Sequence, residues 1–146
     1  MSEPRLVYVE SSVFLALVKG EEGRIEDCRA VAFQAEAGEI TVVTSPFTLA
    51  EVAKTEGVAL AEDVEREISL FFNHEWIHLV ELDRLVATRA RKVIRDFNLK
   101  PPDAVHVASA VNIGATLLLT YDKDLLRIGR IENMEIRQPA GQRPFD

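Results

Sequence analysis

Four acidic residues stand beside predicted strand ends or helix starts, where their side chains could do chemistry. Glu10 follows the apolar segment LVYV, Asp122 follows LLLTY, and Asp103 comes directly after two prolines. Glu51 lies within SPFTLAEV. A carboxylate in an apolar setting costs free energy unless it is paired, hydrogen-bonded or bound to a metal. If the four side chains converge, their repulsion opposes folding, and a hard divalent ion such as Mg²⁺ or Mn²⁺ relieves it.

Hydroxyl side chains accompany these carboxylates and could hold them in place through hydrogen bonds. A histidine one helical turn beyond Asp103 is a further candidate, although a lone histidine in such a position is more often packed or hydrogen-bonded than catalytic. The residues that could support the site are Ser11, Ser12, Thr120, Asp124 and His106.

The pattern of apolar residues predicts strands that alternate with helices. A serine followed by a proline, Ser45-Pro46, is a typical helix start, because the serine caps free amides and the proline suits the first helical position. The predicted strands are 6–9, 40–44, 76–82, 115–120 and, as a possible fifth, 134–137. The predicted helices are about 12–19, 22–37, 46–53, 61–72, 83–98, 103–112 and 122–128.

Strands separated by helices indicate a parallel sheet with helices on both faces, and hence an α/β fold. At 146 residues, 47% of them hydrophobic, the chain suits one domain with one core. We expect that domain to span residues 1–146, with its core at about 6–138 and a loose tail, GQRPFD. In such sheets the site lies beyond the carboxyl ends of the strands, where the strand order reverses. Acids that follow strands are therefore expected to meet there.

The formal net charge of -7 argues against general affinity for phosphate backbones, because non-specific binding to nucleic acids depends largely on Lys and Arg. The charge is unevenly distributed, however. The predicted helix at about 83–98 has an apolar face that includes Ala87 and Phe97, and it aligns three arginines on another face. This basic stripe, made of Arg84, Arg91 and Arg95, is either an ordinary solvated face or a surface for RNA or a partner.

The apolar runs are too short to span a membrane, and the N-terminal residues lack the basic start and cleavage site of a secretory signal. We therefore expect a cytoplasmic protein. The single cysteine, Cys28, excludes an intramolecular disulfide and a multi-cysteine zinc cluster.

In order and spacing, the four acidic motifs resemble those of the PIN-domain nucleases, a family that includes the VapC-type toxins. The resemblance implies a three-layer PIN-like α/β fold with a central, mostly parallel sheet of about five strands and helices on both faces. It also implies a Mg²⁺- or Mn²⁺-dependent endoribonuclease that hydrolyses RNA phosphodiester bonds. The motifs are Glu10-Ser11-Ser12 after a strand, Glu51 in SPFTLAEV, Asp103 in PPDAVHVASA and Asp122 in LLLTYDKDL.

The same resemblance implies roles for individual residues and partners for the protein. Catalytic positions fall on Glu10, Glu51, Asp103 and Asp122, and the metal ligands would be the first, third and fourth of these. A VapC-type protein would be a homodimeric toxin, neutralised by a small antitoxin protein encoded beside it. Supporting positions fall on Ser12, Thr120 and Asp124.

One residue departs from the family pattern, because the first acidic position is ordinarily Asp and here it is Glu10. The extra methylene moves the carboxylate by roughly 1.5 Å, the length of a C–C bond, whereas Mg²⁺ demands near-ideal distances. Either the backbone recedes to compensate or metal affinity falls. A second hypothesis is therefore a PIN-like module that binds RNA or protein with weak or no catalysis.

Each acid also has a plainer interpretation. Glu10 could cap the helix that follows it, and Glu51 could be a solvated residue paired with a neighbour such as Lys54. Asp103 could be an ordinary first-turn acid, and Asp122 could be a turn residue. A shared site explains all four positions at once.

A third hypothesis is a phosphate-handling signalling domain of receiver type, which is also α/β with clustered acids. Such a domain needs paired acids after the first strand and a phosphoacceptor Asp after a central strand. The sequence offers one acid after the first strand, Thr44-Ser45 after the second, and Glu81 near the end of the third. These residues fit that class poorly.

Overall fold

The computed structural model describes residues 4–140, and within them the predicted α/β fold is confirmed. Short apolar runs form the strands, and segments with helical periodicity form most of the helices between them. The strands are β1 Arg5–Val9, β2 Ile40–Thr44, β3 Lys54–Thr55, β4 Val58–Ala59, β5 Ile77–Leu79, β6 Leu117–Leu119, β7 Arg130–Ile131 and β8 Met134–Arg137. The helices are α1 Ser11–Lys19, α2 Ile25–Glu36, α3 Pro46–Glu51, α4 Glu62–Phe72, α5 Arg84–Phe97, α6 Pro101–Ile113 and α7 Lys123–Leu126.

The central sheet has six strands in the order β5-β2-β1-β6-β8-β7, and only the β7–β8 pair is antiparallel. The sequence predicts about five strands, and the additional one is β7, whose two residues are too few to show an alternating pattern. A separate hairpin of β3 and β4 is missed for the same reason. Its turn contains Glu56 and Gly57, which have φ values of 52° and 78°.

The start of α2 differs from the sequence prediction. The helix begins at Ile25 rather than at residue 22, because residues 21–24 form a turn in which Gly23 has a φ of 84°. The serine cap predicted for α3 is confirmed, since Ser45 Oγ accepts a hydrogen bond from the amide of Phe47 at 3.0 Å.

The buried face of α5 is narrower than predicted. Ala87 and Phe97 were assigned to the apolar face, but both are exposed. The buried residues are Val86, Ala90 and Val93, which follow a spacing of four and three and so form a single stripe.

The core has two parts, one on each face of the sheet, because successive residues of a strand point to opposite faces. In β1, Val7 and Val9 pack beneath α1, α2 and α4, whereas Tyr8 points to the other face, beneath α5 and α6. The central strand is therefore buried on both sides, which explains its continuous apolar sequence.

The strand order reverses at β1. The chain builds β2 and β5 on one side of β1, then crosses to place β6 and β8 on the other side. The amide of Glu10 donates to the carbonyl of Leu119 at 3.0 Å, so the pairing of β1 with β6 continues one residue past β1. The side chains that follow these two strands are thereby brought next to each other.

Among residues 4–140, no helix is long and apolar enough to cross a membrane. The predicted loose tail, residues 141–146, lies outside the described residues. The single domain with its core at about 6–138 stays a prediction.

Candidate active site

Glu10 lies between β1 and α1, and its side chain is almost fully buried, with the residue only 5% exposed. Its Oε1 accepts hydrogen bonds from the Ser12 amide at 3.2 Å and from the hydroxyls of Ser12 and Thr120, each at 2.6 Å. The residue therefore caps α1, as the plainer interpretation allowed. All three hydrogen bonds reach Oε1. Among the residues that the structure describes, none of these donors contacts Oε2, which could therefore take a further ligand.

The two hydroxyls join the ends of the neighbouring strands. Ser12 Oγ accepts from the amide of Tyr121 at 2.8 Å, and Thr120 Oγ1 accepts from the amide of Asp122 at 2.9 Å. Each hydroxyl thus donates to Glu10 and accepts from the segment after β6, which fixes both segments relative to each other.

Glu51 is the last residue of α3, and its carboxylate is held by two side chains. Ser11 Oγ donates to Oε1 at 2.5 Å, and the Nε2 atom of His106 contacts the same oxygen. Burial by itself raises the pKa of Glu51, but the hydrogen bonds from His106 and Ser11, and the charge of His106 whenever its imidazole is protonated, lower that pKa below its ordinary value. The partners of this carboxylate are therefore Ser11 and His106, rather than a neighbour such as Lys54, which the plainer interpretation allowed.

Three aspartates form a second acidic group beside the first. Carboxylate oxygens of Asp103, Asp122 and Asp124 all lie within 4.8 Å of one another. Asp103 sits in the first turn of α6, and Asp122 caps α7 by accepting the amides of Asp124 and Leu125 at 2.8 and 3.4 Å. Asp122 comes shortly after β6 and so lies at the carboxyl end of that strand, whereas α6, which carries Asp103, follows another helix, α5.

The pKa of Asp103 is raised to about 6 by burial and by the nearby carboxylates of Asp122, Glu10 and Asp124, against the opposing effect of His106. This shift means that the two acidic groups repel one another within one cleft. A divalent cation between them would neutralise that repulsion.

The donor chemistry of the cleft fits a metal ion. Oxygen and imidazole ligand atoms of Glu10, Glu51 and His106 lie within 4.8 Å of one another, as do those of the three aspartates. The aspartates offer only oxygen ligands, the type that Mg²⁺ and Mn²⁺ prefer, and they are partly exposed. The ligand set predicted from the sequence, Glu10 with two aspartates, draws on both groups.

The basic stripe lies apart from these carboxylates in sequence and is exposed. Arg84, Arg91 and Arg95 occupy the solvent face of α5, which packs against α6, the helix that carries Asp103. The stripe and Asp103 therefore lie on two helices that pack against each other.

The sequence does not reveal that two buried polar residues contact each other at the site. The sequence offers His106 only as an extra candidate and places Tyr8 in an apolar strand, yet the Tyr8 hydroxyl lies 2.7 Å from Nδ1 of His106. Both residues are fully buried. The available signal was a phenol hydroxyl in a strand covered on both faces, where a buried polar group needs a partner.

Comparisons with known proteins agree with this geometry. The family model described as PIN domain matches residues 7–131. No curated protein sequence matches the chain. Among solved structures, the Mycobacterium tuberculosis toxin VapC20, which cleaves the sarcin-ricin loop, is 14% identical with a TM-score of 0.69 and covers 88% of this chain and 98% of its own.

Two further solved structures are similar in fold. A toxin-antitoxin complex from Klebsiella pneumoniae is 21% identical with a TM-score of 0.65, over 89% of this chain and 99% of that one. VapBC2 from Rickettsia felis, bound to a DNA fragment from its promoter, is 15% identical with a TM-score of 0.63, over 91% and 98%. At these identities the likeness shows the fold alone.

Proposed function

This chain belongs to the PIN-domain family, and on that premise we propose that it is a metal-dependent endoribonuclease and the toxin of a toxin-antitoxin pair. The observation that carries the proposal is the convergence of the acidic side chains in one cleft at the carboxyl ends of β1 and β6, with the pKa of Asp103 raised to about 6 by burial and by its neighbours. The fold shared with VapC20 and with toxin-antitoxin complexes supports the toxin role. The same family membership speaks against the receiver-type hypothesis.

Glu10, Asp103 and Asp122 are the proposed metal ligands, with Asp124 beside them. A divalent ion held there would supply positive charge that stabilises the developing charge on a phosphodiester and would promote the ionisation of water. Ser12 and Thr120 hold the Glu10 carboxylate through Oε1, and its second oxygen is the proposed ligand atom. Ser11 and His106 keep Glu51 ionised, so that its carboxylate can accept a hydrogen bond from the attacking water.

The basic stripe is the proposed contact for the flanking RNA phosphates. Because the net charge is -7, attraction for RNA has to be local, and Arg84, Arg91 and Arg95 offer three exposed cations on one helix face. We further propose a homodimer and a small antitoxin protein as partners, as in the toxin-antitoxin complexes with this fold.

A second candidate function rests on Glu10. Three donors occupy one of its oxygens, and its longer side chain changes the distance to any shared ion by roughly one C–C bond. A module that binds RNA or protein without cutting would follow if Mg²⁺ does not tolerate that change. The variant Glu10→Asp distinguishes the two functions. If the natural protein does not cut RNA and Glu10→Asp does, the second function, binding without cutting, is favoured.

The direct test is cleavage of mixed-sequence single-stranded RNA by purified protein freed of any partner, with Mn²⁺, Mg²⁺ or EDTA. Asp103→Asn is run alongside, and Asp96→Asn serves as a matched control because Asp96 is an exposed acid paired with Lys92 on α5. Metal-dependent cutting that is lost only in Asp103→Asn supports the nuclease. Undiminished cutting by Asp103→Asn contradicts it.

A further inference from the structure

A continuous polar chain runs from the core to the cleft. The Tyr8 hydroxyl contacts Nδ1 of His106 at 2.7 Å, and Nε2 of His106 contacts Glu51 Oε1. The three residues come from β1, α6 and α3, and Tyr8 and His106 are 98 positions apart in the sequence. The His106 side chain is 0% exposed and that of Glu51 is 29% exposed, so the chain begins in the interior and ends at solvent.

The hydrogen-bond partners of His106 indicate which of its two ring nitrogens carries a hydrogen. Because Glu51 is ionised, it can only accept, and the hydrogen between it and His106 must belong to Nε2. In a neutral imidazole the other nitrogen, Nδ1, then accepts, and its partner is the Tyr8 hydroxyl. A tyrosine hydroxyl ordinarily carries its hydrogen at neutral pH and can therefore donate.

The neighbouring threonines are further polar groups near the Tyr8 hydroxyl. Thr44 Oγ1 donates to the carbonyl of Val9 at 2.7 Å, and the hydroxyls of Thr44 and Thr48 are 2.7 Å apart. Both threonine hydroxyls also interact with Tyr8 and lower its pKa, against the larger effect of burial, which raises that pKa. The phenol nevertheless lies 2.7 Å from Nδ1 of the buried imidazole and can donate to it.

We propose that Tyr8 and His106 are positioning residues for Glu51 in the cleavage reaction proposed above, on which this inference rests. The Tyr8 hydroxyl selects the imidazole tautomer with its hydrogen on Nε2, and that hydrogen, together with Ser11, fixes the Glu51 carboxylate at the edge of the cleft. A glutamate at the end of a six-residue helix has several rotatable bonds, and two donors on one oxygen restrict them. Tyr8 and His106 act on the reaction only through this orientation.

The proton assignment is tested first, by ¹⁵N NMR of the histidine side chains in metal-free protein without RNA. The chain has three histidines, His74, His78 and His106, and the variants His74→Gln and His78→Gln identify the buried one. We expect hydrogen on Nε2 and an unprotonated, hydrogen-bonded Nδ1 in His106. Hydrogen on Nδ1, whether alone or together with hydrogen on Nε2, would overturn the assignment.

Tyr8→Phe then removes the hydroxyl and keeps the ring. We expect the Nδ1 signal of His106 to shift and the Nε2 tautomer to lose its dominance. Tyr121→Phe is the matched control, because it alters the only other tyrosine, which contacts Cys28 and Arg24 instead, and it should leave the His106 signals in place. An unchanged His106 pattern in Tyr8→Phe would overturn the proposal.

Cleavage kinetics separate positioning from a purely structural role. We expect kcat to fall about tenfold or more in Tyr8→Phe and further in His106→Leu, with KM within about twofold of the natural value. His106→Gln, whose amide can still donate to Glu51, should recover part of the loss. If Tyr8→Phe is folded and shows altered His106 signals but keeps the kcat of the natural protein, the positioning role is overturned.

The two proposals fail separately. If the natural protein does not cut RNA, the proposed function fails, and the NMR result still decides whether the hydrogen-bond chain exists. If the natural protein cuts RNA and Tyr8→Phe and His106→Leu cut equally well, only the positioning role fails.

Discussion

At the residue scale, the raised pKa of Asp103 makes the stability of the protein depend on pH. Its pKa rises from the ordinary 3.8 to about 6 because it is partly buried and faces other carboxylates. The folded state thus binds a proton more tightly than the unfolded state does. Its contribution to stability is fully present below about pH 4 and is lost as the pH rises through about 6.

Asp103→Asn should therefore stabilise the metal-free protein at pH 7 by about 1 kcal/mol, after allowance for screening by solvent, and should change little at pH 4. The amide removes the charge that the other carboxylates repel. Urea unfolding in EDTA at both pH values measures this difference, with Asp96→Asn as the control. Equal stability of Asp103→Asn and the natural protein at pH 7 would contradict the repulsion.

A divalent ion should produce the same relief in the natural protein. Addition of Mg²⁺ or Mn²⁺ at 100 times its Kd stabilises a folded protein by about 2.7 kcal/mol if only the folded state binds. We expect the Tm to rise with metal concentration in the natural protein and to rise much less in Asp103→Asn. The same Tm increase in both proteins would place the ion elsewhere.

At the element scale, the residue at which a helix starts determines where its first acidic side chains lie. Asp83 caps α5 through a hydrogen bond from the Val86 amide to Oδ1 at 2.9 Å, and α6 begins at Pro101 so that Asp103 falls in its first turn. These features are local, and the sequence predicts helices from about 83 and about 103, close to both observed starts.

Asp83→Ala should destabilise the protein by about 1 kcal/mol, because it removes a side-chain cap from the start of α5. Asp83→Asn keeps an oxygen acceptor and should cost little. Urea unfolding of the two variants measures the difference, and RNA cleavage should be unchanged in both, since this cap is not among the carboxylates of the cleft. An equal loss in Asp83→Asn would assign the effect to charge rather than to capping.

The elements that the sequence did not predict share a physical reason. The strands β3, β4 and β7 have two residues each, so they carry no periodicity and depend on their partners. The four acids were found because each stands beside a strand or helix boundary. The contact of Tyr8 with His106 could not be found, because it exists only when β1 and α6 pack together.

At the scale of the whole molecule, the net charge of -7 and the basic stripe would have opposite effects on the RNA binding proposed above. Long-range repulsion lowers general affinity, while Arg84, Arg91 and Arg95 provide a local surface of opposite sign. The protein should therefore have a low affinity for RNA that cannot contact the basic stripe and the cleft at the same time.

Replacement of Arg84, Arg91 and Arg95 by Ala should raise the KM for long RNA several-fold and reduce the salt dependence of binding by about two units of slope for single strands, with kcat little changed. Each arginine that neutralises a phosphate releases a counterion, so its loss shows in that slope. A triple Ala variant of Arg29, Arg66 and Arg130, which are exposed elsewhere, is the control. An equal effect in both variants would indicate general charge rather than the stripe.

The hydrogen bond from Thr120 to Glu10 joins residues 110 positions apart and has a consequence for protein synthesis. The ribosome releases the N-terminal part first, so β1 emerges long before its neighbour β6 exists. Until Thr120 and the aspartates after it have emerged, Glu10 has no partner across the sheet and the cleft has not formed. The nuclease activity proposed above would therefore begin only after nearly all of the chain has left the ribosome, which would spare the messenger RNA that is being translated.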